Sequence, residues 1–101
     1  MKQGKLVRDK IPQIIIAAGK KPITRILDNE EYLEELDKKL NEEIAEYQED
    51  KSIEEMADVL EVLFAICEAR GHSVEKLMEV CSAKREERGG FKQKIFWSGN
   101  E

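Results

Sequence analysis

Leu33, Leu36, Leu40, Ile44 and Tyr47 recur at spacings of three, four, four and three, the period of one face of an amphipathic α-helix. Asp28, followed three residues later by Glu31, supplies a capping-box-like start for that helix. Ser52 and Glu55 repeat the signal, and Gly71 stops the helix they open after about 18 residues. Ser73 opens another, with Val74, Leu77, Met78 and Cys81 on one face, which runs to about Arg88 before Gly89-Gly90 end it. Upstream, Pro12 in a first turn and Gly19 beyond the end predict a short helix from Ile11 to Ala18, and Lys20 to Leu27, containing Pro22, is a connector. Phe91 to Glu101 forms a tail whose Ile95-Phe96-Trp97 needs something apolar to cover. Short connectors between long amphipathic helices predict an all-α antiparallel bundle of about four helices, one domain over residues 1–101.

The most apolar stretch, Ile53 to Cys67, has 11 apolar residues in 15, but Glu54, Glu55, Asp58 and Glu61 interrupt it, which excludes a membrane span. Lys2, Lys5, Arg8 and Lys10 precede any apolar run, and Ile14-Ile15-Ile16 is too short for a signal-peptide core, so a cytoplasmic protein is expected. Cys67 and Cys81 lack metal-binding spacing and occupy apolar helical positions, which reads as reduced core thiols. Phe64 lies roughly opposite the main apolar arc of its helix, and a chain this small buries a modest core. A homodimer or homotetramer with that helix near its interface is expected, unless the C-terminal tail covers Phe64 within one chain.

The net charge of −5 is unevenly placed. Residues 1–27 hold 7 basic and 1 acidic residue, residues 28–68 hold 3 basic and 16 acidic, and residues 69–101 hold 7 basic and 5 acidic. An acidic middle between basic ends is a poor surface for duplex nucleic acid, which needs a continuous basic footprint. It suits a cation held by acids and an anion held by bases.

Glu42, Glu43, Glu46, Glu49 and Asp50 crowd a helix C-terminus, where the macrodipole is negative and like charges three or four apart repel. A bound cation would remove that conflict. At about 100° per residue, Glu43 lies roughly 60° and Glu46 roughly 120° from the centre of the apolar stripe, and Glu42 points nearly opposite. On the next helix, whose arc centres on Leu63, Glu55 lies roughly 80° and Asp58 roughly 140° to one side. An antiparallel hairpin through Lys51-Ser52 then brings four carboxylates within about two turns of the connection. All-carboxylate ligation without nearby His or Cys selects Mg²⁺ or Mn²⁺ over zinc. A di-iron bundle needs Glu-x-x-His twice, and the single histidine, His72, falls beyond Gly71 in a loop; an EF-hand loop is absent too. The plainer alternative is that Glu55 caps its helix and the other acids form a solvated face.

Lys84, Arg85 and Arg88 end the last helix, followed by Gly89-Gly90, Lys92 and Lys94, and Lys5, Arg8 and Lys10 form a second basic cluster. Such groups match phosphate oxygens, although bases at a helix C-terminus also favour the helix itself.

Glu42-Glu43-x-x-Glu46 followed by Glu55-x-x-Asp58 resembles the EExxE…ExxD metal motif of the all-α nucleoside triphosphate pyrophosphohydrolases, the MazG-like and phosphoribosyl-ATP pyrophosphohydrolase-like superfamily. The opening KLVRDKIP, residues 5–12, and Lys84-x-x-x-Arg88-Gly-Gly-Phe91 look like the two ends of a single-domain subgroup, so the resemblance covers nearly the whole chain. It implies an oligomeric helical bundle that hydrolyses a nucleoside triphosphate to monophosphate and pyrophosphate with Mg²⁺. Residue by residue, Glu43, Glu46, Glu55 and Asp58 match the metal ligands, and Glu42 matches the leading acid.

The expectation is therefore a Mg²⁺-dependent pyrophosphohydrolase of a nucleoside triphosphate or of phosphoribosyl-ATP, with Glu46 or Glu43 accepting the proton of the attacking water. Lys84, Arg88, Arg8, Lys10 and Lys92 would bind the phosphates. With no Gly-x-x-x-x-Gly-Lys-Ser/Thr loop to cradle the β- and γ-phosphates and with the bases at two separate ends, the arrangement, taken with the family resemblance, favours cleavage between the α- and β-phosphates. The rival is a non-enzymatic module whose acidic helical surface binds a basic partner.

Overall fold

A computed structural model describes residues 4–101 and contains four helices and no strand among them: α1 (Ile11–Ala17), α2 (Asn29–Asp50), α3 (Ile53–Ala69) and α4 (Val74–Arg88). The fold is all-α. No helix among the described residues is long and apolar enough to cross a membrane. The helix starts fall where the caps require. Asp28 Oδ1 accepts from the Glu31 amide at 2.9 Å, Ser52 Oγ from the Glu55 amide at 3.2 Å, and Ser73 Oγ from the Lys76 amide at 3.1 Å. The Glu31 carboxylate is gripped by the fork of Arg25, at 3.2 and 2.8 Å, which ties the connector to the first turn of α2.

Between α2 and α3 stand only Lys51 and Ser52, and so short a link makes the helices antiparallel neighbours. Lys51 turns the chain at φ 57°, a left-handed conformation glycine would adopt more cheaply. Its amide donates to Tyr47 O at 2.7 Å and its ammonium lies 5.2 Å from the centre of the Tyr47 ring, which helps hold the turn. At the other end of the hairpin Arg70 reaches Asp37 at 3.7 Å.

The packed seam departs from the expected arcs. Leu36, 2% exposed, and Val62 are buried in it together with Glu43, while Leu63, the expected centre of the α3 arc, is 39% exposed. By the 100° rule, the α3 residues on the seam, Glu55, Val59, Val62 and Ile66, centre roughly 70–100° away from Leu63. The apolar residues of α3 occupy more than half its circumference, so an average direction does not reveal which part meets α2. This rotation carries the acids of both helices onto the seam. Phe64, expected to need cover from a second chain or from the tail, is half-buried within this chain.

Antiparallel packing along the helices is confined to α2 and α3. α4 meets α3 through its first turn, where the Cys67 thiol donates to Ser73 O at 3.3 Å, and α1 packs on no other helix. Cys67 is buried as expected, but Cys81 is exposed, because α4 leaves the body of the hairpin before reaching it. The tail residues Phe91, Ile95, Phe96 and Trp97 remain exposed as well, so the tail does not cover the hairpin.

Candidate metal centre

Glu43 approaches the seam from α2 and Glu55 and Asp58 approach it from α3. One carboxylate oxygen from each lies within 4.8 Å of the other two. The antiparallel hairpin produces this: Glu43, about two turns before the end of α2, faces the first turns of α3, and residues 55 and 58 share a face. Oxygens that share one hard cation at about 2.0–2.6 Å stand at most about 5 Å apart, so the spacing of the three is compatible with a shared cation.

Glu43 is 7% exposed. Its Oε1 is paired with the Lys39 ammonium at 3.3 Å, while Oε2 of Glu43 and Oε2 of Glu55 are buried without a hydrogen-bond partner among the described residues. Two orphaned carboxylate oxygens beside a third acid fit a cation, since uncompensated burial of such groups is costly. The electrostatics carry the same sign. Burial pushes Glu43 above the ordinary glutamate pKa, the hydrogen bond from Lys39 pulls it back in part, and the charge of Glu46 adds to the rise. Glu55 is raised first by desolvation and then by the charges of Glu46, Asp58, Glu43 and Asp50.

The other expected residues fall into place unevenly. Glu46, one turn beyond Glu43, is exposed and stands outside the close trio, near enough for its charge to act on Glu43 and Glu55. Glu42 points off the seam and pairs with Lys39 at 3.5 Å and Lys5 at 3.4 Å, in keeping with its place on the helical wheel. Arg8 comes to the trio, its Nη2 3.0 Å from Asp58 Oδ1, so the basic segment before α1 crosses the acidic end of the hairpin. Lys10 occupies the N-cap position of α1 on that same segment without a side-chain capping bond. Lys84 and Arg88 lie toward the C-terminal end of α4 and Lys92 beyond it, on an element that approaches α3 only through its start and does not meet α2.

Lys39 is the residue that motif reading overlooked. Its side chain is 16% exposed and neutralises Glu43 from one turn earlier. The signal was present in the spacing, because a lysine four residues before a buried glutamate shares its face.

No family model matches the chain, and no solved structure matches it. An uncharacterized protein of Mycolicibacterium smegmatis is 52% identical over 43 residues, a match that spans 43% of this chain and 44% of that protein.

Proposed function

We propose that this chain is a Mg²⁺-dependent nucleoside triphosphate pyrophosphohydrolase that cleaves between the α- and β-phosphates. The observation that carries the reading is the pair of buried Oε2 atoms of Glu43 and Glu55, without a hydrogen-bond partner among the described residues, next to Asp58. Those three residues are assigned to the metal, with Glu46 at the edge of its shell. When bound, Mg²⁺ supplies charge neutralisation for the phosphate oxygens and a polarised water. Mn²⁺ suits the same oxygen set.

Glu46 is assigned as the proton acceptor, because it borders the trio while remaining exposed to solvent. Lys39 holds Glu43 Oε1 and thereby fixes the direction of its other oxygen. Arg8 already stands at the trio and is given the outer phosphates, which leave as pyrophosphate; Lys10 accompanies it. Lys84, Arg88 and Lys92 sit on or beyond α4, which does not pack on α2, so the phosphate grip is given to Arg8 and Lys10.

Phosphorus NMR of products formed in ¹⁸O-labelled water, with Mg²⁺ and a panel of triphosphates and phosphoribosyl-ATP, tests the reaction. Label in the monophosphate, with an equal yield of pyrophosphate, is expected. Diphosphate and orthophosphate as first products, or no turnover across the panel, would remove the proposal.

A further inference from the structure

Two basic side chains touch the carboxylate trio, and they are held in unlike ways. Arg8 meets Asp58 from the irregular segment before α1, and its side chain is more than half exposed. Lys39 belongs to α2 itself. Its side chain is mostly buried, and its ammonium stands 3.3 Å from Glu43 Oε1 and 3.5 Å from Glu42 Oε1. Both acids lie one turn further along the same helix, so the geometry of α2 alone sets these contacts. Withdrawing Lys39 would strand the buried Glu43 carboxylate, whereas Arg8 can leave the half-exposed Asp58 at little cost. Lys39 is therefore the fixed cation of the seam and Arg8 the exchangeable one.

That difference bears on how many divalent ions the seam can take. Two such ions in one site stand about 3.5–4 Å apart, and a carboxylate shared between them gives one oxygen to each. Glu43 is the buried member of the trio, set between the two helices. Its Oε2 has no hydrogen-bond partner among the described residues, but its Oε1 faces Lys39. One oxygen of Glu43 is thus open to a cation, and the other already has one.

The charges lead to the same count. Three carboxylates beside one fixed ammonium leave two negative charges, which a single divalent ion cancels. A second ion would place two uncancelled positive charges in a partly buried seam and repel Lys39 at close range. Glu46 offsets this weakly, because it stands exposed to water, where charges act over a high dielectric.

We infer that Lys39 is a built-in counter-cation that limits the seam to one divalent ion per chain in the absence of nucleotide. The inference rests on the reading of the trio as a metal centre and adds the number of ions and the residue that sets it.

Mn²⁺ titrated into the full chain without nucleotide, with the free ion counted by its six-line electron paramagnetic resonance signal, tests both parts. Wild type should take up one Mn²⁺ per chain, and Lys39→Met, which frees Glu43 Oε1 and removes the fixed charge, should take up two. If Lys39→Met fails to fold, Lys39→Ala, which lets water reach Glu43, carries the same expectation. Two ions in wild type, or one in a folded Lys39 variant, would overturn the inference and leave the metal centre standing. No saturable Mn²⁺ uptake by wild type would remove the metal centre itself, and this inference with it.

Discussion

Arg8 Nη2 lies 3.0 Å from Asp58 Oδ1, so a guanidinium from the segment before α1 occupies the edge of a carboxylate trio built fifty residues later. Both side chains are about half exposed, and a pair of that kind contributes about 0–1 kcal/mol to stability. Its interest lies in competition, because Arg8 neutralises a carboxylate assigned to the metal. Arg8→Ala should therefore tighten binding of Mg²⁺ alone while lowering turnover of a triphosphate. Metal titration and steady-state rates on the same variant check both halves; weaker Mg²⁺ binding with unchanged turnover would exclude the role given to Arg8.

Glu43→Gln should stabilise the metal-free protein. It removes a buried negative charge facing Glu55 and Asp58, at the cost of the Lys39 pair. Because about 1 kcal/mol moves the midpoint of a domain this size by about 4–8 °C, the gain should be visible calorimetrically without Mg²⁺. Turnover should be lost in the same variant.

Lys39→Met should act in the opposite direction. It leaves the buried Glu43 carboxylate without its cation and should cost about 1–3 kcal/mol in denaturant unfolding. Combining Lys39→Met with Glu43→Gln should recover much of that loss, since no charge is then left unpaired.

Raised carboxylate pKa values fix the sign of the pH dependence. Folded Glu43 and Glu55 hold their protons above the ordinary value of 4.5, so the folded state binds more protons than the unfolded one in that window. Their contribution to stability therefore falls as pH rises from 4.5 through the raised values. The stability advantage of the Glu43→Gln/Glu55→Gln variant over wild type should grow as pH rises from the ordinary value of 4.5 through the raised values without metal, and shrink in Mg²⁺. An advantage independent of pH would contradict the raised values.

Helix boundaries were legible because they are local: Asp28, Ser52 and Ser73 each bond the amide three residues on, and Gly71 and Gly89 follow the ends of α3 and α4 at φ 89° and 84°. The meeting of Glu43, Glu55 and Asp58 was legible too, since a two-residue link leaves α2 and α3 little choice of register. The rotation of the hairpin was not. A stripe such as Met56, Leu60 and Leu63 marks an apolar face and does not say whether that face meets another helix of the chain, and all three are exposed. Cys81 misled for the same reason, since its apolar helical position is left exposed. Arg8 at Asp58 depends on where an irregular segment runs, which no periodicity encodes.

The central claim is that the seam of the hairpin holds a metal for a triphosphate. Isothermal titration of Mg²⁺ into wild type and Glu55→Gln, each with a triphosphate made nonhydrolysable between its α- and β-phosphates, tests it most directly. Saturable, metal-dependent binding by wild type, weakened about tenfold or more in Glu55→Gln, is the predicted result. Equal binding by the two proteins, or none by wild type, would contradict it.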